Sequence, residues 1–374
     1  MSRLHRSASA QMSRPAISIQ SSGGWTFGSP SVLMMFHREP GGYEREQAEM
    51  DECMPHYYKI TRRHGQGAET IMRAEALFNQ GRFTDAHIEL ERAYTQIAGN
   101  GQENMALCCD FLAWRLSLHT DAAPRCSFEQ RYASLLQHHN ASWINIWSAT
   151  SAYYHALRGE IKQIPEVFAE HRLDTINFLA PGKPMMELIE NQVYLAQGAF
   201  AKVIARCDAL LAVCGAMHYD LVALHVRLQT AGAYAKLEKW NEALGLLQAA
   251  CAEAEPDGLI LPFAENHRYL AGLYPRLAQT PFLARAAACG ADYESRCTAL
   301  CGQPLHSAAF DALTEREREI AALLRQRLSN REIAEKLFLS EGSVKQYLNQ
   351  IYAKLGIDGE ARTKRQRLAA ILSS

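Results

Sequence analysis

One short motif returns along the chain at a near-constant interval: Gly81-Arg82-Phe83-Thr84-Asp85-Ala86, Gly159-Glu160-Ile161, Gly198-Ala199-Phe200 and Glu238-Lys239-Trp240-Asn241-Glu242-Ala243. The starts lie 78, 39 and 40 residues apart. Each copy follows a run rich in Ala, Leu and Tyr in which apolar residues recur three and four apart, the spacing of an amphipathic helix. The motif reads as a helix hairpin: a small residue or glycine ends the first helix, an aromatic two positions on packs over the turn, and alanines such as Ala86 and Ala243 admit a second helix closely. One hairpin cannot bury its apolar face alone, so the copies must stack. The motif predicts an all-α array from Gly67 to about Leu300, curved and with a concave face. The 78-residue interval is two periods of 39 and predicts a degenerate unit between, built around Phe111–His119 and Phe128–His138.

Within this region Ala74, Leu77, Gly81, Phe83, Ala86, Leu90 and Ala93 follow the pattern of the tetratricopeptide family, which the array resembles; Ala231, Tyr234, Trp240, Ala243, Leu247 and Ala250 do the same. That family repeats at about 34 residues, so units near 39 imply longer helices or loops. Helical-hairpin packing without that ancestry remains the alternative, and either reading ends in a curved stack.

The chain has 374 residues, enough at about 150 per domain for two to three domains. Its 39 Lys+Arg balance 40 Asp+Glu, a composition with no overall nucleic-acid or membrane signal. The balance conceals an asymmetry. From Leu313 to Ser374 there are 12 Lys+Arg and 8 Asp+Glu, a net of +4, which leaves −5 for residues 1–312.

That basic C-terminal end carries the motif with chemistry in it. Thr314 and Glu317 are spaced as a capping box, in which each side chain satisfies the other's backbone N–H at the start of a helix. Ile320, Leu323 and Leu324 then line one face. Ser329 with Glu332 opens a second, short helix carrying Ile333, Ala334 and Leu337, and Ser340 caps a third. In that third helix Val344, Leu348, Ile351 and Leu355 recur at steps of 4, 3 and 4 and form a buried stripe; the helix is expected to end at Gly356. Lys345, Gln346 and Asn349 lie off the stripe near the N-terminal half, where a recognition helix presents side chains to base edges in a major groove. A short helix, a tight turn and a longer polar-faced helix make a helix-turn-helix.

Four linked segments, Leu313-Thr314-x-Arg316-Glu317, Leu328-Ser329-Asn330-x-Glu332-Ile333-Ala334, Leu339-Ser340-x-x-Ser343-Val344-Lys345 and Ile351-Tyr352-x-Lys354-Leu355-Gly356, resemble the LuxR-type (NarL/FixJ-like) DNA-binding domain. The resemblance covers about 60 of the 374 residues. It implies a four-helix domain, base readout by Lys345, Gln346 and Asn349, and phosphate contacts from Ser343, Tyr347 and Lys354. The chain departs from the family at Ser343, usually Thr, and at Tyr347, usually His, and each retains a polar group for a phosphate. After Gly356 the family's fourth helix often serves dimerisation. Here Arg362, Lys364, Arg365 and Arg367 face either phosphate or solvent.

Helical repeats before such a domain resemble the C-terminal part of MalT-like LuxR regulators. Those proteins also carry a P-loop ATPase, which has no counterpart here: Gly182-Lys183 is followed by Pro184, and Asn177 stands where the first glycine belongs. Either a shortened regulator or a truncated reading frame explains this. The resemblance implies double-stranded DNA as partner, a homodimer on DNA, a small-molecule or protein effector for the repeats and contact with RNA polymerase, in a bacterial cytoplasm. A protein-interaction scaffold tethered to DNA is the alternative.

Other classes lack their signatures. A phosphorylated receiver domain needs alternating strands and helices, and an enzyme needs a site, yet the chain has no His-Glu-x-x-His, no Gly-x-Ser-x-Gly and no clustered metal ligands. No catalytic residue, metal or cofactor is therefore expected. The ten cysteines are scattered with no Cys-x-x-Cys pair, which argues against zinc ribbons and for reduced, buried thiols. Side chains of the adjacent pairs His138-His139 and Cys108-Cys109 diverge on a helix. Aromatics such as Trp143, Trp147, Tyr153, Tyr154 and Tyr194 read as core more readily than as a ligand pocket. The longest stretch without Asp, Glu, Lys or Arg, Tyr132–Leu157, is broken by His138, His139, Asn140 and Asn145, so no membrane span is expected. Met1–Ser22 is rich in Ser and Arg, free of acidic residues and without the apolar core of a secretory signal; its composition resembles a mitochondrial transit sequence. The expected order is a disordered leader (1–40), a helical repeat domain (41–300), a linker (301–312) and the DNA-binding domain (313–374).

Overall fold

In the computed structural model the four recurring turn positions share one backbone conformation: φ is 76° at Gly81, 73° at Gly159, 76° at Gly198 and 60° at Glu238. Glycine enters this left-handed region freely, whereas Glu238 does so against its own Cβ. The structure describes residues 29–60, 64–99, 101–138, 140–176, 178–300, 313–325 and 328–355, with Ile357, Lys364 and Leu368. Among the described residues there is no strand.

In chain order the helices are α1 (Leu33–Phe36), α2 (Tyr43–Ile60), α3 (Ala68–Asn79), α4 (Phe83–Ile97), α5 (Glu103–Leu116), α6 (Phe128–His138), α7 (Ala141–Arg158), α8 (Glu166–Ala169), α9 (Lys183–Ala196), α10 (Phe200–Met217), α11 (Asp220–Lys236), α12 (Trp240–Ala254), α13 (Leu261–Glu265), α14 (His267–Leu270), α15 (Pro281–Leu300), α16 (Glu315–Arg325), α17 (Asn330–Leu337) and α18 (Glu341–Lys354). They divide into two compact units. The first takes the described residues up to Asp121 and from Ala141 to Leu300; the second takes those from Ala122 to Asn140 and from Leu313 onward.

In the first unit α3 and α4 pair about Gly81, α9 and α10 about Gly198, and α11 and α12 about Glu238. The alanines that the turn motif placed on the second helix of a pair, Ala86 and Ala243, are fully buried, as are Ala93 and Ala250. Helix α11 is enclosed by α9, α10, α12, α13 and α14, so Leu221, Val222, Leu224, Val226 and Leu228 are buried around its whole circumference. At the centre of the unit Arg115 of α5 meets Glu265 of α13 through two parallel hydrogen bonds of 2.7 and 3.0 Å. The Tyr153 hydroxyl of α7 donates to the same carboxylate at 2.8 Å, and the guanidinium lies 4.9 Å from the Phe78 ring and 5.2 Å from the Phe111 ring. A buried ion pair survives only with its remaining donors and acceptors satisfied in this way. Nearby, His119 packs against the rings of Phe83 and Tyr293, and burial pushes its imidazole down to about 3, so it stays neutral. Tyr153 and Tyr154 belong to this core rather than to a pocket.

The leader expected at 1–40 divides in two. Residues 1–28 lie outside the described residues, whereas Ser29–Phe36 is buried within the helical unit, with Val32 at 0% and Leu33 at 1% exposure. Val32-Leu33-Met34-Met35-Phe36 is an unbroken apolar run without helical period, which only complete enclosure satisfies. The segment packs on α3 and α11, early and late in the helical unit. The expected degenerate unit also differs: Phe128–His138 forms α6 but groups with the C-terminal unit, where Ala133 packs against the core.

That C-terminal core joins α16, α17 and α18 through Leu313, Ile320, Leu324, Ile333, Ala334, Val344, Leu348 and Ile351, with Leu355, Ile357 and Leu368. The linker 301–312, Gly356 and most of the expected fourth helix, including Arg362, Arg365 and Arg367, lie outside the described residues. No described helix is long and apolar enough to cross a membrane, and no group of three or more His, Cys, Asp or Glu among the described residues is arranged to hold a metal ion.

Candidate nucleic-acid interface

Local hydrogen bonds fix where each helix of the C-terminal unit starts. Thr314 Oγ1 accepts the Glu317 N–H at 3.3 Å while the Glu317 carboxylate accepts the Thr314 N–H at 2.6 Å. Ser329 and Glu332 repeat the arrangement at 3.3 and 2.6 Å. Hydrogen bonds from the Ser329 hydroxyl and N–H hold the Glu332 carboxyl below the usual carboxylate range. Ser340 Oγ accepts the Ser343 N–H at 3.0 Å and shares a 2.9 Å hydrogen bond with the Ser343 hydroxyl. Each cap satisfies a backbone donor that the first turn of a helix leaves open.

Between α17 and α18 the chain turns at Phe338, whose φ is 54°, and the Leu339 N–H closes the turn onto the Ala334 carbonyl at 2.9 Å. Small Ala334 lies buried at this crossing. With Val344, Leu348 and Ile351 directed into the core, Lys345, Gln346 and Asn349 stand exposed on the opposite side of α18. Gln350 is exposed there too, one turn beyond Gln346, and the sequence motifs did not single it out. Its four-residue spacing from Gln346 is the signal that would have found it. Ser343 and Tyr347 are half-buried at the border of this face, and Tyr347 packs on the core.

Glu317 does more than cap. Its carboxylate, 3% exposed, also lies 2.7 Å from Lys354 Nζ at the far end of α18, and thereby ties the start of α16 to the last turn of α18. Burial pushes the Glu317 carboxyl up, but hydrogen bonds from Lys354 and from Thr314 outweigh it and hold it below the usual range. Arg316 is a second tie: one nitrogen pairs with Glu319 at 2.6 Å and another donates to the Leu337 carbonyl at 2.7 Å, at the end of α17. The first tie joins α16 to α18 and the second joins α16 to α17. The exposed face of α18 presents one cation and three amide side chains, the donor and acceptor groups that purine edges in a major groove engage.

Residues 311–363 match the family described as bacterial regulatory proteins, luxR family. The chain is 41% identical over 49 residues to the DNA-binding transcriptional activator DevR/DosR of Mycobacterium tuberculosis (strain ATCC 25618 / H37Rv), which covers 13% of this chain and 23% of that protein. It is 51% identical over 45 residues to the transcriptional regulatory protein LnrK of Bacillus subtilis (strain 168), 12% of this chain and 20% of that one. With the spore germination protein GerE of the same organism the identity is 42% over 50 residues, 13% of this chain and 68% of GerE. The chain thus spans about a fifth to a quarter of the first two relatives and two thirds of the third. No solved structure matches.

Proposed function

We propose, on the premise that the chain belongs through its C-terminal domain to the luxR family of bacterial regulatory proteins, that it is a sequence-specific transcriptional regulator whose helical unit senses an effector or a partner. The observation that carries the DNA reading is the exposed face of α18. Lys345, Gln346 and Asn349 read bases there, and Ser343 and Tyr347 steady the phosphate backbone. Lys354, held by Glu317 at the far end of the helix, meets a phosphate as a compact charge. A homodimer places two such helices on half-sites about one helical turn apart, with RNA polymerase as the target of the bound complex.

The reading of the first unit as a tetratricopeptide-like sensor, similar to the array of MalT-like regulators without their ATPase, rests on the motif spacing and on the shared left-handed turns. Sensing is the natural role of a non-enzymatic array fused to a DNA-binding domain, because an effector that favours one arrangement of the chain shifts operator occupancy by its differential affinity.

Binding-site selection on the full chain tests the DNA face. Gln346→Ala and Asn349→Ala are expected to relax preference at particular base pairs, each by about 1 to 3 kcal/mol of discrimination. Lys354→Ala is expected to weaken all sequences alike and lower the salt slope by about one ion. Unchanged selected sites for both amide variants, with helix content retained, would place the recognition face elsewhere.

A further inference from the structure

Helix α3 packs on both α2 and α4, and side chains of all three line an open cleft of about 550 Å³ in the first unit. That volume falls within the roughly 300 to 1,000 Å³ of small-molecule sites. Tyr43, Leu77 and Ile88 form the apolar part of the lining, and Ile88 stands 48% exposed, apolar surface that the fold leaves uncovered. The polar part is unevenly charged: the four carboxylates of Glu44, Asp51, Asp85 and Glu89 share the lining with only two guanidiniums, those of Arg73 and Arg82.

Both guanidiniums are already engaged. Arg73 pairs with Asp51 at 2.6 Å, and Arg82 pairs with Asp85 at 2.7 Å. Glu44 is exposed and forms no ion pair among the described residues. Glu89 gives one oxygen to Arg92, which does not line the cleft, at 2.6 Å. Its other oxygen, Oε2, accepts no hydrogen bond, and Arg73 Nη1 is 3.9 Å away. Gln47, another lining residue and 7% exposed, repeats the deficit. Its amide nitrogen donates to Asp51 Oδ1 at 2.9 Å and to the Glu69 carbonyl at 3.0 Å. A flipped amide would set its oxygen against two acceptors, so the oxygen stays where it is, buried and without a donor. Acceptors left unmet in this way cost stability that a ligand with N–H donors returns on binding.

We propose that this cleft is the effector site of the helical unit and that its ligand is a small organic cation with an apolar body, an alkyl- or arylalkylammonium. The ammonium answers the uncompensated charge of Glu44 and Glu89, its N–H groups supply the donors that the lining lacks, and the apolar body covers Leu77 and Ile88. A carboxylate or phosphate ligand meets the same surplus as repulsion. This deepens the sensor reading, on which it depends only for its consequence at DNA.

The probes are phenethylamine and hexylamine, titrated into the full chain by calorimetry, with phenethyl alcohol and phenylpropionate as the neutral and anionic counterparts. At least one amine is expected to bind one molecule per chain, at least tenfold more tightly than the alcohol, and the anion is expected to bind more weakly still. Glu89→Gln keeps the shape of the side chain, removes its charge, and is expected to reduce the preference for the amine over the alcohol at least fivefold. Absence of saturable binding by both amines overturns the site, as does equal binding of amine and alcohol, or a preference that survives Glu89→Gln with helix content retained. Should Glu89→Gln lose helix content, amide exchange in the unaltered chain decides: slowing on addition of amine that is confined to α2, α3 and α4 supports the site, and slowing elsewhere or nowhere overturns it. Operator affinity is measured separately: amine binding that leaves it unchanged refutes the sensor reading and leaves the site standing.

Discussion

At Phe338 local preference and observed conformation disagree. It sits at φ 54° and ψ 44° in the position after α17 where glycine or asparagine is usual, and its side chain is 97% exposed. The left-handed backbone costs a β-carbon residue about 1 kcal/mol or more, and the exposed ring recovers nothing by burial. Phe338→Gly is expected to stabilise the C-terminal unit by about 1 kcal/mol, seen in the full chain as roughly fivefold slower amide exchange in α17 and α18. Faster exchange would mean that the ring has a stabilising contact. The caps were legible at this scale because Thr314 and Glu317, or Ser329 and Glu332, are three residues apart and a helix start brings them together by itself. The Glu317 to Lys354 tie was not, because its partners are 37 residues apart and only the packing of α16 on α18 joins them.

At the scale of the element, α11 shows how a neighbour overrides propensity. Replacing a helical glycine by alanine ordinarily gains up to about 1 kcal/mol. At Gly232, however, a Cβ would stand 2.6 Å from Tyr269 Cβ and 3.8 Å from its Cα, so neither the ring nor the backbone of α14 moves aside cheaply. Gly232→Ala is expected to destabilise the helical unit by about 1 to 3 kcal/mol. Gly245 of α12 has nothing within 4 Å of an added Cβ, so Gly245→Ala is expected to stabilise by up to about 1 kcal/mol. Urea unfolding of the two variants compares them directly, and equal shifts of the same sign would show that α14 approaches α11 less closely than these distances require. Periodicity was enough to announce α3, α4, α11 and α12. It was silent about α1, because five consecutive apolar residues carry no period, and about the grouping of α6, whose amphipathic pattern names a face without naming what covers it.

At the scale of the whole molecule, the Arg115–Glu265 pair closes the helical unit across 150 residues of sequence. Arg115→Met leaves the Glu265 carboxylate buried with the Tyr153 hydroxyl but without its cation, and is expected to cost about 3 to 5 kcal/mol. Adding Glu265→Gln removes the stranded charge while keeping an acceptor for Tyr153, and is expected to restore more than half of the loss. Thermal unfolding of the single and double variants measures both, and a single variant within about 1 kcal/mol of the parent would show that the pair does not hold the unit together. The sequence by itself determined the helical class, the turn positions of the first unit and the C-terminal helix-turn-helix with the exposed face of α18, because periods, caps and turn residues act within a few positions of one another. Only the tertiary structure decided that Ser29–Phe36 lies inside the helical unit, that Arg115 finds Glu265, and that Glu317 serves Lys354 as well as its own helix. Those outcomes depend on which apolar faces remain to be covered and which buried charges remain to be paired once distant helices have met, and no local pattern encodes that.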